Sequence, residues 1–229
     1  NKWDYALYDN FNRVVEVGQI SSNESFESLK ATASVSENYI PANREPIKYL
    51  FYDNYNYTGA HPFIQAENIS GYIDSDMNPE NGYSDLTAGL KTGIRVKMLG
   101  TDSWLTKTYY YDSQNRLIQQ IDDSADSALG ESCFSFQYDF VGNILSSRER
   151  HGLSAPDVLL SSYLYDDRGR LVSGSYSLNN GKSATIKYEY DAVGRMKKAR
   201  YGDEINGFDE EYSYGISGSL LRKESPYFT

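Results

Sequence analysis

The sequence predicts an all-β fold: a mostly antiparallel, strongly twisted sheet built of successive hairpins. Three observations lead there. A seven-residue pattern, Tyr-Asp-x-x-Gly-Arg-apolar, recurs along the chain. Its last five Tyr positions, Tyr111, Tyr138, Tyr165, Tyr190 and Tyr214, are spaced by 27, 27, 25 and 24 residues, a near-constant period that marks a repeat architecture. The residues leading into a copy alternate at period two, as in Phe134, Phe136 and Tyr138, or Ile186, Tyr188 and Tyr190 with Lys187 and Glu189 between them.

The copies begin at Tyr8-Asp9, Tyr111-Asp112, Tyr138-Asp139, Tyr165-Asp166 and Tyr190-Asp191, with worn versions at Tyr52-Asp53 and Tyr214-Gly215. Asp suits the first position of a type I turn, where its carboxylate accepts nearby backbone N–H groups. The residue three after Asp must then take positive φ. It is glycine at Gly142, Gly169, Gly194 and Gly218, and asparagine at Asn12, Asn56 and Asn115. Glycine meets no Cβ penalty there, and asparagine tolerates the left-handed region well. Such a turn closes a three-residue hairpin loop with a bulge. Asp then faces Arg, as in Asp166/Arg170 and Asp191/Arg195, and Tyr faces the apolar residue, as in Tyr165/Leu171 and Tyr190/Met196. The Tyr face is the expected core. After the turn its parity runs Met196, Lys198, Arg200 and Leu171, Ser173, Ser175, so the stripe is clear for only part of each hairpin.

Taken in order, residues 1–18 form the first hairpin. Residues 21–46 interrupt the repeat with a short helix through Phe26, Leu29, Lys30 and Ala33, capped by Ser22 or Asn23. Lys48 to Tyr57 reads as a strand entering the worn second copy. Residues 58–92 form an irregular excursion, punctuated by Gly59, Pro62, Gly71, Pro79, Gly82 and Gly89. Thr92 to Leu99 returns to strand, residues 100–103 turn, and the regular array runs from Trp104 to Leu221. This divides the chain into 1–103, with divergent repeats and the insertion, and 104–229, the regular array, within one continuous sheet.

The 229 residues include 22 Tyr, and 39% are hydrophobic, enough for a core in which phenol hydroxyls need partners. A formal charge of −10 argues against nucleic acid and anionic membrane surfaces as partners. No run approaches the roughly 20 apolar residues of a membrane helix. The single Cys133 excludes an intrachain disulfide and reads as a buried, inert thiol. The chain starts at Asn1 without Met and has no signal peptide, which reads as an excised or processed piece.

The repeated Tyr-x-Tyr-Asp-x-x-Gly-Arg-Leu signature resembles that of the Rhs/YD-repeat family. The run Thr92 to Gly100, with Trp104 and Tyr109 to Asp112 behind it, is similar to the version in large Bacteroidetes-type repeat proteins of the cell surface or secreted fraction. The resemblance implies a sheet curled as part of a spiral or shell wall. It further implies further repeats of a parent chain as partners, with an enclosed C-terminal cargo or an adhesive surface. Only the scaffold role carries over onto the matching positions: Tyr8, Asp9, Tyr111, Asp112, Tyr138, Asp139, Gly142, Tyr165, Asp166, Gly169, Arg170, Tyr190, Asp191, Gly194 and Arg195.

A search for chemistry finds little. His61 and His151 have no second His at metal-ligand spacing, and no nucleophile elbow, zincin or phosphate-loop motif is present. Adjacent carboxylates such as Asp122/Asp123, Asp166/Asp167 and Glu210/Glu211 point to opposite faces of a strand. No catalytic residue is assigned and no organic cofactor is expected. Asp74, Asp76, Asn78 and Asp85 form the one stretch with ligand-like spacing, and its oxygens suit Ca²⁺. Pro79 stands where an EF-hand needs Gly, so an ordinary Asx-turn loop competes. Rings of Tyr109, Tyr110, Tyr163 and Tyr176 suggest a surface glycan as the alternative partner, in a carbohydrate-binding or adhesion module. A hydrolase assembled from distant residues is the third reading.

Overall fold

In the computed structural model, residues 1–35, 39, 41–69, 82–124, 130–152, 155–156, 158–178, 182–202 and 207–226 are described. The fold is all-β. Fourteen strands run in sequence order: β1 (Lys2–Tyr8), β2 (Val14–Ser21), β3 (Arg44–Tyr52), β4 (Lys91–Lys97), β5 (Trp104–Tyr111), β6 (Leu117–Ser124) and β7 (Glu131–Tyr138). Then come β8 (Ile144–His151), β9 (Val158–Tyr165), β10 (Leu171–Leu178), β11 (Lys182–Tyr190), β12 (Met196–Tyr201), β13 (Phe208–Tyr214) and β14 (Leu220–Glu224). They form one antiparallel sheet in which each strand neighbours the next, with β1 and β14 at the edges. Short connections between consecutive antiparallel strands favour this order, because a hairpin needs no crossover.

The chain groups into two compact units. The first holds Asn1–Asn68, Tyr72–Cys133 and His151–Ala155, and the second Ile69–Gly71, Phe134–Arg150 and Pro156–Thr229. Trp104, where the regular array starts in the sequence, lies inside the first.

The pairing corrects the expected parity after the turns. Tyr190 pairs with Met196 and Tyr165 with Leu171, but the register then shifts by one residue, so Tyr188 meets Ala199 and Tyr163 meets Gly174. The bulge inserts an extra residue and moves the stripe to Met196, Ala199 and Tyr201, and to Leu171, Gly174 and Tyr176. Ala199 is wholly buried, and the Tyr163 and Tyr176 rings meet edge to face at 5.8 Å.

A second correction concerns which face is covered. In the first unit the motif Tyr residues are not on the buried face: Thr106, Thr108 and Tyr110 are buried while Tyr111 is only half-buried. The covered face continues through Trp3, Tyr5 and Leu7, while Tyr8 is 57% exposed. Strand parity alone cannot tell which face a distant segment will cover.

Two local expectations also shift. The helix is α1 (Phe26–Val35), and Ser25, not Ser22 or Asn23, caps it by accepting the Ser28 N–H at 3.2 Å. The worn second copy does not close a hairpin at Asn56. Asp53 takes positive φ (68°) instead, and β3 ends at Tyr52 and pairs next with β4, which begins at Lys91. The described residues between them include a 3₁₀ turn, Gln65–Glu67.

Candidate functional site

The recurring residues build one local device. In the Asp166 copy, the Asp166 N–H donates to the Arg170 carbonyl at 3.0 Å and the Gly169 N–H to the Asp166 carbonyl at 2.9 Å. Asp166 Oδ1 accepts from the Arg168 and Arg170 amides, at 3.0 and 2.9 Å, and Oδ2 accepts from Arg170 Nε at 2.7 Å. The Asp9, Asp112 and Asp191 copies repeat this with Arg13, Arg116 and Arg195. In the Asp139 copy Asn143 stands in for Arg and donates through Nδ2 at 2.7 Å. Left-handed φ occurs where the turn demands it, at Gly142 (104°), Gly169 (73°), Gly194 (92°) and Gly218 (87°), and at Asn12 and Asn115 (61° each).

The device extends across the seam to the next hairpin, which sequence reading did not anticipate. The Tyr190 hydroxyl donates to the Leu171 carbonyl at 2.8 Å, Tyr214 to Met196 at 2.8 Å, Tyr165 to Ile144 at 3.0 Å and Tyr52 to Val14 at 3.2 Å. Each acceptor is the residue just after the preceding turn's Arg or Asn. The guanidinium of that Arg lies over the same Tyr ring: Arg13 over Tyr52 at 4.3 Å, Arg170 over Tyr190 at 4.5 Å and Arg195 over Tyr214 at 4.7 Å. Arg13 adds a bidentate pair to Asp53, at 2.9 and 2.6 Å. The signal for this was the repeat itself, because a residue fixed at one step of every hairpin is also fixed relative to its neighbours.

Electrostatics follow the same bonds. Bonding to Arg170 and its amides holds Asp166 below the usual carboxylate range. At Asp191 and Asp9 desolvation pulls upward, but the Arg195 and Arg13 donors outweigh it and lower both. The Arg13 guanidinium, with the Gly89 N–H, brings Asp53 down to about 2.

In the first unit, residues 53–68 and 82–90 settle on the sheet and create its polar core. Tyr55, Phe63 and Tyr83 surround the Tyr110 ring at centroid distances of 4.5, 5.1 and 4.6 Å. Phe51 and Tyr57 stack in parallel at 4.0 Å. Three polar groups beneath them are paired: Tyr57 Oη donates to the Thr92 carbonyl, the His61 N–H to Thr108 Oγ1, and Tyr110 Oη to the His61 carbonyl. Gln119 is wholly buried and exchanges two bonds with the Ile64 backbone, at 2.8 and 3.1 Å. This satisfies buried polar groups that would otherwise be costly. Burial pushes the Tyr57 hydroxyl up to about 12.

The remaining sequence candidates disperse. Tyr110 is 3% exposed and cannot stack on a sugar, Tyr109 lies under Lys91 Nζ at 5.2 Å, and Tyr163 and Tyr176 contact each other. Cys133 is buried. His61 Nε2 pairs with Glu131 at 2.6 Å and Nδ1 faces the Pro62 carbonyl at 2.7 Å, so both ring nitrogens are engaged within the protein. His151 Nδ1 meets Ser132 Oγ at 2.9 Å. Asp74, Asp76 and Asn78 lie outside the described residues, and Asp85 is exposed. Among the described residues no three His, Cys, Asp or Glu side chains converge as metal ligands, and no helix is long and apolar enough to cross a membrane. An open groove of about 590 Å³ is lined by residues that include Asp9, Glu16, Tyr49, Phe51, Asn54 and Tyr57.

Fold and turn geometry together define a repeat-built β sheet in which four motif tyrosines pin one hairpin to its neighbour. No family model and no curated protein matches the chain. Among solved structures it is similar to the TcdB2-TccC3 crystal structure, with a TM-score of 0.48 and 11% identity over 99% of this chain and 11% of that one. It is also similar to the Tc holotoxin pore of Photorhabdus luminescens with a substituted TccC3, with a TM-score of 0.43 and 11% identity over 99% of this chain and 10% of that one. The chain spans about a tenth of the length of these structures.

Proposed function

We propose that this chain is a non-catalytic structural module, a stretch of Rhs/YD-type repeat wall whose partners are further repeats of a parent chain. One observation carries the reading: the residues that recur are consumed in holding the sheet. Asp166 and Asp191 spend both carboxylate oxygens on their own turns, and Tyr165, Tyr190 and Tyr214 spend their hydroxyls on the preceding hairpin. A catalytic acid or base needs an oxygen free to reach a substrate. The wall encloses a cargo or presents an extended surface, in a secreted or surface-displayed protein. A hydrolase screen on the purified chain tests this. The reading expects no turnover, and turnover that disappears on Asp191→Asn contradicts it.

Glycan binding is the second reading, and it rests on the open groove, where Tyr49 and Phe51 lie beside Asp9, Glu16 and Asn54. Binding on a glycan array that is lost on Phe51→Ala supports it, and a blank array removes it. Calcium on the Asp74 to Asp85 stretch is tested separately. Heat in a Ca²⁺ titration, with a melting temperature lowered by EDTA, supports it. Neither effect removes it.

A further inference from the structure

We infer that Arg95 is the anion-recognising end of the groove, and that the ligand it receives is a carboxylate-bearing sugar, a uronic acid unit of a glycan. The inference rests on the glycan reading above and names the class of glycan. Four residues stand in one row across the sheet: Glu16 on β2 is opposite Tyr49 on β3, Tyr49 is opposite Arg95 on β4, and Arg95 is opposite Thr106 on β5. Directly opposite residues share a face. Trp104, two residues before Thr106, lies on that face too, with its ring 5.3 Å from Tyr49 and 5.1 Å from the Arg95 guanidinium. Tyr49 and Thr58 line the groove, and a Cβ on the next residue, Gly59, would come within 3.5 Å of Arg95 Nε.

Arg95 differs from the other arginines of its unit. Arg13 is paired with Asp9 and Asp53, Arg44 with Glu16 and Arg116 with Asp112. Arg95 meets no carboxylate among the described residues, and its Nε is buried without a hydrogen-bond partner. A buried donor left unsatisfied is costly, so a position that keeps one points to a partner outside the fold. The terminal nitrogens are not buried in this way, which leaves the fork of the guanidinium open to a carboxylate.

The neighbouring charges do not oppose an anion. Asp9 and Asp53 in the groove are held by Arg13, while Glu16 Oε1 accepts from Tyr5 Oη at 2.5 Å and Arg44 Nε at 3.0 Å. Three carboxylates thus face two guanidinium groups, and Arg95 supplies the third. Burial and then the Glu16 carboxylate push the Tyr49 hydroxyl up, while Arg44 and Arg95 pull it down, so the Arg95 charge is felt at the groove lining. Aromatic rings beside one open cation suit a sugar that carries its own carboxylate, the ring supplying an apolar face and the acid the charge.

Isothermal titration of the whole chain with a galacturonic acid trimer, and with its methyl ester, tests the inference, because the ester keeps the sugar ring and removes the charge. The trimer is expected to bind about tenfold to a hundredfold more tightly than the ester. Arg95→Met is expected to bring the trimer down to the level of the ester, to leave the ester unchanged, and to keep or raise the melting temperature by removing a buried donor without a partner. Equal binding of trimer and ester, or trimer binding indifferent to Arg95→Met, overturns the inference and leaves the glycan reading standing. A melting temperature that falls on Arg95→Met while binding is unchanged makes Arg95 a packing residue on Trp104 and also overturns it. Heat from neither sugar overturns it as well, and the glycan array then decides separately whether the glycan reading survives.

Discussion

The Tyr190 hydroxyl donates to the Leu171 carbonyl at 2.8 Å, although the two residues belong to different hairpins. The bond explains why a tyrosine, and not a phenylalanine, stands at this step of the repeat. It gives the Leu171 backbone carbonyl a side-chain donor at the point where the register shifts, and it fixes one turn against the next.

Removing that hydroxyl tests its contribution. Tyr190→Phe keeps the ring under Arg170 but leaves the Leu171 carbonyl without its donor, so stability should fall by about 0.5–1.5 kcal/mol. Urea unfolding followed by circular dichroism measures it. An unchanged midpoint would remove the hydroxyl from the account.

The turn glycine can be replaced by the residue the chain itself uses elsewhere. Gly169 has φ 73°, close to the 61° of Asn12 and Asn115. Gly169→Asn should therefore be tolerated, whereas Gly169→Val forces a β-branched residue into the left-handed region at a cost of about 1–3 kcal/mol. Equal melting temperatures for the two variants would contradict the turn assignment.

Gly93 is needed for a different reason. Its backbone is not left-handed, but a Cβ there would overlap the Tyr57 ring and press on the Lys107 carbonyl. Gly93→Val should displace Tyr57 from the Thr92 carbonyl and loosen the stretch from Tyr57 to His61 from β4 and β5. Faster hydrogen exchange at the His61 amide, which now donates to Thr108, would report it, and unchanged protection would refute it.

Acid should weaken the turns. Asp9, Asp53, Asp139, Asp166 and Asp191 all titrate below their ordinary value when folded. A depressed carboxylate contributes stability above its unfolded pKa, about 3.9, and loses it as pH falls through the folded value. For Asp53 that window runs from about 3.9 down to about 2. Melting temperature should drop between pH 5 and 2, and Asp53→Asn should flatten part of that slope. An equal slope in wild type and variant would count against the Arg13 pair.

Much of this was legible because local chemistry dictates it. Asp, the positive-φ position and the Tyr/apolar pair are read within seven residues, and all four glycines that close a motif turn take the required conformation. The strand after the turn was misread because the parity was run straight through the bulge that the turn itself implies, and a bulge shifts the stripe by one residue. The second copy misled for a related reason. Tyr52-Asp53 looks like a turn, but Asp53 is bound by Arg13 of the preceding hairpin, a partner 40 residues away. The polar core of Thr92, Thr108 and Gln119 could not be read at all, since those residues are buried only by a segment that returns from elsewhere in the sequence. The seam was hidden in plain view, in the constancy of Tyr and Arg across copies.

The central claim is that the repeated residues lock neighbouring hairpins together, and a double-mutant cycle on Arg170 and Tyr190 tests it most directly. Arg170→Met, Tyr190→Leu and the double variant are compared with wild type by urea unfolding. The 4.5 Å stacking predicts a coupling of about 0.5–1 kcal/mol between the two positions. Simple additivity of the two losses would contradict it.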